Sequence, residues 1–189
     1  VLFCPGTLIL NECKTVNITN PVPTTGGSGL CIYNGGDLYI QNNTYFTVSG
    51  FMNPGPAGKD GCSGIYIDSD TDEKHNNNYK KIMGQIVVSN NSTLTATNCF
   101  HNGITANPID IIVSDYSTID VNNNNDKKTG SGQGGIGSYH CGTMTISNHS
   151  RVTSNDNSAE FGIFVHNLVV DGTSEIESRY DTSYGIAFN

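Results

Sequence analysis

The chain contains an internal repeat of eleven residues, and this repeat limits the possible folds more than any other feature. Positions one, three and nine are apolar in every copy. Position five is Asn, Asp or Gly, and position seven is Ser or Thr. A solenoid, in which each copy stacks on the next, is the architecture that such self-similarity predicts. The copies span 38–48, 86–96, 111–121, 144–154 and 168–178; a weaker sixth at 8–18 has Glu12 at position five and Lys14 at position seven.

Each copy predicts two short strands joined by a sharp bend. The alternation of apolar and polar residues is that of a strand with one buried face. Asn, Asp and Gly at position five tolerate the left-handed backbone conformation that a tight corner needs. A glycine followed by an apolar residue recurs between the copies and marks a third strand. The six examples are Gly29-Leu30, Gly64-Ile65, Gly103-Ile104, Gly135-Ile136, Gly162-Ile163 and Gly185-Ile186.

The predicted fold is therefore all-β: one single-stranded, right-handed parallel β-helix of about six coils over residues 1–189. We expect 1–28 to form an N-terminal capping coil and 29–189 to form regular coils that can continue beyond the C-terminus. Polar insertions at 68–81 and 122–133 should leave the solenoid as loops. Right-handedness follows from the general hand of parallel crossovers. A hairpin-built sandwich is the alternative, but the two-residue Asn-Gly or Asp-Gly turns that it uses are scarce here.

Stacking makes one specific demand on the interior. Ile86, Ile111, Met144 and Leu168 occupy position one of successive copies, so they should form one continuous buried column. Separate layers or antiparallel pairing of these segments would contradict the solenoid.

Charge and cysteine content restrict the partners and the compartment. The net charge is −8 with only nine Lys and Arg, which argues against nucleic acid and against an anionic membrane surface. No apolar run approaches about 20 residues, so we expect no membrane insertion by this segment. Six cysteines without a CxxC pair suggest disulfides in an oxidising, extracellular or cell-surface compartment, with buried thiols as the alternative. Cys4 and Cys13 are the candidate disulfide.

No catalytic residues and no cofactor are predicted. Arg151 and Arg179 fall at outward positions and are expected to be surface charges rather than the base of a lyase. A glycosidase needs two carboxylates that face each other across a cleft. Asp120 and Glu175 lie two repeats apart and do not form an evident pair of this kind. An acidic segment containing Asp68, Asp70 and Asp72 fits either a solvated loop or a calcium site, because calcium prefers hard oxygen ligands.

Two further groups of residues are candidates for modification or binding. Asn42, Asn90 and Asn148 lie at position five, so the repeat itself creates Asn-x-Ser/Thr sequences, which predict either a ladder of stacked amides or glycans. Outward tyrosines predict a stacked stripe that binds sugar rings or a protein, unless loops shield it. The glycosylation candidates are Asn17, Asn42, Asn90, Asn91 and Asn148; the tyrosines are Tyr33, Tyr39, Tyr45, Tyr66 and Tyr116.

The Gly-Ile element followed by apolar-x-Ile/Val-x-Asn-x-Ser-x-apolar resembles the repeats of pectin-lyase-like right-handed β-helix surface proteins, over about 29–189. These include adhesins and the polymorphic outer-membrane-protein repeats of chlamydiae and some protists. Gly134-Gly135-Ile136 matches the polymorphic repeats only in part, and their Phe element is missing. The resemblance implies a non-catalytic extracellular or cell-surface structural or adhesive protein. Its partners would be a glycan, a host or cell-surface protein, or copies of itself in a filament. The alternative on the same fold is a polysaccharide lyase or glycoside hydrolase.

Overall fold

A computed structural model describes residues 2–4, 6–20, 27–33, 35–52, 63–68, 84–107, 109–124, 134–138, 142–158, 161–179 and 184–188. In these ranges the chain forms short strands and no helix, so none of it is a helix that could cross a membrane. The predicted insertions at 68–81 and 122–133 fall almost entirely outside the described residues.

The strands belong to three sheets, and every coil contributes one strand to each sheet in turn. Sheet A contains β1 Leu2–Cys4, β4 Leu30–Ile32, β7 Ile65–Asp68, β10 Ile104–Asn107, β13 Gly134–Ser138, β16 Phe161–Val165 and β19 Tyr184–Phe188. Sheet B contains β2 Leu8–Asn11, β5 Leu38–Gln41, β8 Gly84–Ser89, β11 Ile109–Val113, β14 Thr143–Ile146 and β17 Asn167–Val170. Sheet C contains β3 Val16–Thr19, β6 Tyr45–Ser49, β9 Thr93–Thr97, β12 Thr118–Asn122, β15 Arg151–Asn155 and β18 Glu175–Arg179.

All neighbouring strands are parallel and lie three strands apart in the chain, which is the arrangement of a parallel β-helix. Six coils are complete in all three sheets, and β19 adds a seventh strand to sheet A. The predicted interior column is confirmed, because Ile86 pairs with Ile111, Ile111 with Met144, and Met144 with Leu168. Ile86 and Ile111 are fully buried, and Leu168 is half-buried on the last strand of sheet B.

The glycines of the Gly-apolar element are required by close packing where sheet C turns into sheet A. A Cβ atom on Gly135 would overlap the carbonyl oxygen of Gly162 and the Oγ atom of Ser154. A Cβ atom on Gly103 would overlap Cγ1 of Val121. Glycine therefore recurs at the start of sheet A strands because the neighbouring coil and the preceding strand leave no room for a side chain.

The corner between sheets B and C has the left-handed backbone that position five predicts in four of the five regular copies, and Gly172 is the exception. In four coils the residue at position six is left-handed as well, with φ near 54–60°. Tyr116, unusual in this conformation, stacks on His149 of the next coil with ring centroids 5.0 Å apart. The left-handed pairs are Asn42–Asn43, Asn90–Asn91, Asp115–Tyr116 and Asn148–His149.

The Ser or Thr at position seven builds a buried hydroxyl ladder beneath this corner. The backbone N–H of Thr44 donates to Oγ of Ser92, and that of Ser92 donates to Oγ of Ser117, both at 3.1 Å. The series continues from Ser117 to Ser150 and from Ser150 to Ser174. Each hydroxyl thus satisfies a corner N–H group of the preceding coil that no strand can pair.

The ladder of stacked amides is also confirmed on the outside of the corner. Nδ2 of Asn42 donates to Oδ1 of Asn11 at 2.6 Å, and Nδ2 of Asn90 donates to Oδ1 of Asn42 at 2.9 Å. Asn91 donates in the same way to Asn43, whereas Asn148 donates to the carboxylate of Asp115, so the ladder of amides does not extend to Asn148. Glycosylation of these residues stays a prediction.

The predicted Cys4–Cys13 disulfide is not formed. Cys4 lies in sheet A, whereas Cys13 lies at the corner between sheets B and C, so sequence proximity does not bring the two thiols together. Their Sγ atoms contact the backbone carbonyls of Gly6 and Asn11 instead. No disulfide joins the four described cysteines, and the other two, Cys62 and Cys141, lie outside the described residues.

Candidate binding faces

In-register stacking sorts the outward side chains of each sheet into rows that run along the solenoid. Several connections between strands lie outside the described residues. Each of them joins a strand of sheet C to a strand of sheet A, or a strand of sheet A to a strand of sheet B. The corner between sheets B and C is short in all six coils. Sheets B and C therefore meet along a side of the solenoid without insertions.

The five candidate tyrosines are distributed over three sheets and a corner, so one continuous tyrosine stripe is not formed. Tyr33 and Tyr66 lie together on sheet A, with ring centroids 5.9 Å apart. Tyr39 lies on sheet B, Tyr45 on sheet C and Tyr116 at the corner between them. The sequence identified each residue as outward, but the tyrosines occupy different repeat positions, and each corner directs those positions to a different face.

Sheet A carries an aromatic cluster at either end of its outer face. The first cluster contains Tyr33, Tyr66 and Phe3, and the ring of Phe3 lies 5.3 Å from that of Tyr33. The second cluster contains Phe161, whose ring lies 5.1 Å from that of Phe164 and 5.5 Å from that of Tyr184. These phenylalanines lie outside the eleven-residue repeat, and sequence reasoning did not select them.

The buried thiol of Cys31 lies in the same outward row as Phe3 and Tyr66. Burial raises the pKa of this thiol, and hydrogen bonds with Ser28 and Tyr33 oppose part of that rise. The thiol is thus a packed structural group of the face rather than a poised nucleophile.

Sheet B has an apolar row along its outer face between two polar rows. Tyr39 is fixed in this row, because its hydroxyl interacts with the carboxylate of Asp37 and accepts a hydrogen bond from Gln85. The row consists of Ile9, Tyr39, Val87, Ile112, Thr145 and Val169.

Sheet C presents mostly short polar residues in its first four strands, with Tyr45 on β6 and Asp120 on β12 as exceptions, and most of its charged residues lie on the last two. Arg151 lies 3.4 Å from a carboxylate oxygen of Glu175 and 2.9 Å from one of Glu177, and Arg179 also pairs with Glu177. Both arginines are therefore engaged in ion pairs, as expected for surface charges.

The carboxylates considered for a glycosidase do not face each other. Asp120 accepts a hydrogen bond from Thr153, and the residue beyond Thr153 in this row is Glu177. Glu175 lies in the neighbouring row, opposite Arg151. The arrangement suits a neutralised, solvated surface better than an acid and a base placed on either side of a bond.

In the last complete coil, the first residue of the corner between sheets B and C is Asp171, whose side chain is a carboxylate. Asp171 accepts the backbone N–H of Asn148 at 2.8 Å, and the N–H and hydroxyl of Thr173 at 3.0 and 2.9 Å. These bonds, above all the one from Asn148, hold the pKa of Asp171 well below its usual range.

Asp171→Asn should therefore reduce stability in a pH-dependent way. Because the folded-state pKa is lowered, the stabilisation is complete above the ordinary Asp pKa of about 3.9 and is lost as pH falls through the folded-state value. We expect the difference in Tm between the wild type and the variant to be largest near neutral pH and to shrink below about pH 4. Thermal unfolding by circular dichroism from pH 7 to 2 measures it. Asp156→Asn controls for net charge, and a difference that is constant over this range would contradict the assignment.

The calcium hypothesis stays a prediction. Asp70 and Asp72 lie outside the described residues, and of Asp68 only the backbone, at the end of β7, is described. In the part of the chain that the structure covers, no cluster of three His, Cys, Asp or Glu residues could hold a metal ion.

Comparison of the chain with protein-family models, with curated proteins and with solved structures finds no match. The function is therefore inferred from the geometry of the outer faces.

Proposed function

We propose that this chain is a non-catalytic structural or adhesive scaffold that acts outside the cell or at its surface. Its solenoid presents side faces and loops to a glycan, to a host or cell-surface protein, or to copies of itself. The observation that carries the proposal is the in-register stacking of similar outward side chains, apolar on sheet B and hydroxyl-bearing on sheet C, together with the aromatic clusters at the two ends of sheet A.

Stacked rows suit adhesion because binding energy accumulates over many equivalent contacts on a rigid support. Single exposed contacts are weak, but contacts that are held in position need no further ordering when a partner docks. The described residues of the solenoid form one uninterrupted interior, from Leu30 to Val165, which keeps these rows aligned.

The alternative is a carbohydrate-active enzyme, a lyase or a hydrolase. The observation that favours it is the group of charged residues on sheet C, where Arg151, Glu175 and Glu177 meet. The pairing of these charges with one another supports the scaffold, because a catalytic base or acid must be able to reach substrate.

One experiment separates the two functions. The purified chain is incubated with pectin, alginate, cellulose, chitin and mammalian cells, with and without calcium, and both retained protein and released oligosaccharide are measured. The scaffold predicts retention without release, and Arg151→Gln should leave retention unchanged. Release by the wild type that Arg151→Gln abolishes would establish an enzyme instead. Failure to bind any polymer or cell, together with a monomer in analytical ultracentrifugation at high concentration, would contradict adhesion.

A further inference from the structure

The outer face of sheet C carries a two-dimensional array of hydroxyl side chains over its first four strands. Thr47 pairs with Thr95 in one row and Thr93 with Thr118 in the next. The third row aligns residues from β3, β6 and β9. We name these seven residues the hydroxyl patch: Thr19, Thr47, Ser49, Thr93, Thr95, Thr97 and Thr118.

The array is regular in both directions. Neighbouring strands lie about 4.8 Å apart, and alternate residues of one strand lie about 6.6 Å apart, twice the rise of about 3.3 Å. Threonine is branched at Cβ, so its hydroxyl and methyl groups have few accessible positions. Thr93, Thr95 and Thr97 are each half-exposed between their neighbours on the adjacent strands. The solenoid thus holds the hydroxyl and methyl groups of the patch in place before any ligand arrives.

The chemistry of the patch excludes several kinds of partner. None of its seven side chains carries a charge, and the two charges at its border, Asp120 beside Thr95 and Arg151 beside Thr118, are of opposite sign, so a charged mineral or a polyanion finds no complementary surface there. The large anchors that dominate protein interfaces, Trp, Tyr and Arg, are absent from the patch itself, and the exposed Tyr45, which pairs with Thr93, lies at its border. A neutral partner that is itself rich in hydroxyl and C–H groups matches the threonines.

The patch is also open on one side. It borders the corner between sheets B and C, where the strands are joined by three or four residues in every coil and left-handed pairs keep the turn tight in four of them. An extended flat partner can therefore approach over this corner without meeting an insertion.

We propose that the hydroxyl patch binds the face of an insoluble neutral polysaccharide, in which adjacent chains present hydroxyl and C–H groups at regular intervals. This inference rests on the proposed adhesive function, since it names the glycan class and the face that meets it. One hydroxyl hydrogen bond contributes only about 1 kcal/mol after exchange with water. A soluble oligosaccharide that reaches two or three threonines gains little, whereas an ordered solid meets the whole patch at once.

The test is co-sedimentation of the purified chain with microcrystalline cellulose and with chitin, giving an apparent Kd. Thr95→Lys with Thr118→Lys places two long charged side chains in the patch. Thr143→Lys with Asn167→Lys is the matched control, because it places two lysines in a polar row on the outer face of sheet B, outside the apolar row. We expect the patch variant to bind about tenfold more weakly or worse, and the control to stay within about twofold of the wild type.

A second variant tests the hydroxyl groups themselves. Thr93→Val with Thr95→Val keeps the shape and the branching of both side chains but removes two hydroxyls, and we expect binding to weaken by about tenfold. Circular dichroism melting confirms that each variant is folded.

Each outcome has a distinct meaning. Equal losses in the patch and control variants would overturn the assignment to sheet C. Binding to soluble glycans or cells but not to the solids would overturn this inference and leave the adhesive function standing, whereas binding to nothing would overturn both. Shaping of ice crystals in supercooled solution that the patch variants abolish, without binding to either polysaccharide, would assign the patch to ice instead.

Discussion

Gly135→Ala should lower the free energy of unfolding by about 3 kcal/mol, the upper end of the usual effect of overpacking. The added methyl group would overlap the carbonyl oxygen of Gly162 and Oγ of Ser154, which are themselves joined by a hydrogen bond of 2.8 Å. The first atom belongs to the backbone, and Ser154 is fully buried with its Oγ atom held by that hydrogen bond, so relief requires that the coils separate locally. Urea denaturation followed by circular dichroism measures the change.

Gly172→Ala is the matched control for this substitution. Nothing lies within 4 Å of a Cβ atom at Gly172, and the residue does not have a positive φ. Its effect should stay within about 0.5 kcal/mol, as for most surface substitutions. Equal stabilities of the two alanine variants would show that the glycines of sheet A are not required by close packing.

Asn124→Ala should destabilise the protein by a similar amount, about 3 kcal/mol, since it leaves several buried polar groups without partners. The side chain of Asn124 is fully buried. Its Oδ1 atom accepts the backbone N–H of Cys99 at 3.0 Å, and its Nδ2 atom donates to the carbonyl of Ala96 and to Oδ1 of Asn157, both at 3.1 Å. After the substitution these groups stay buried, so they cannot exchange the lost bonds for water.

An exposed asparagine provides the comparison. Asn17 projects from the outer face of sheet C, and Asn17→Ala should change the free energy of unfolding by less than about 0.5 kcal/mol. Thermal and urea unfolding of both variants measure the difference. If Asn124→Ala were as mild as Asn17→Ala, the buried hydrogen bonds of Asn124, including the one to Asn157, would not contribute to stability.

The local pattern of the repeat predicted the elements well, because the properties it uses are local. Alternation identified both strands of each copy, and Asn at position five anticipated the left-handed corner at Asn42 and Asn90. The column through Ile86 and Ile111 followed from the equal lengths of the copies. The predicted parallel β-helix of about six coils is thus confirmed. It was predicted from residue preferences that act over only a few positions.

The pairing of cysteines and the grouping of tyrosines did not follow from the pattern. Cys4 and Cys13 are close in the sequence, but Cys4 lies on sheet A and Cys13 lies at the corner between sheets B and C. Tyr33 and Tyr66 meet because sheet A stacks them, whereas Tyr39 is turned to another face by the intervening corner. The separation of two residues in the sequence does not predict whether they meet, because contacts in a solenoid connect one coil to the next.

What the sequence determined by itself is the course of one coil: which residues alternate, where the chain bends and which side chains point inward. Period-two alternation and left-handed turn residues are sufficient for that, since both are properties of a few adjacent residues. Only the tertiary structure decided which side chains of different coils hydrogen-bond to one another or lie side by side. Asn124 and Asn157, 33 residues apart, form a buried ladder, and Thr47 and Thr95 share the hydroxyl patch. The loops between coils differ in length, so only the stacked register brings these residues together.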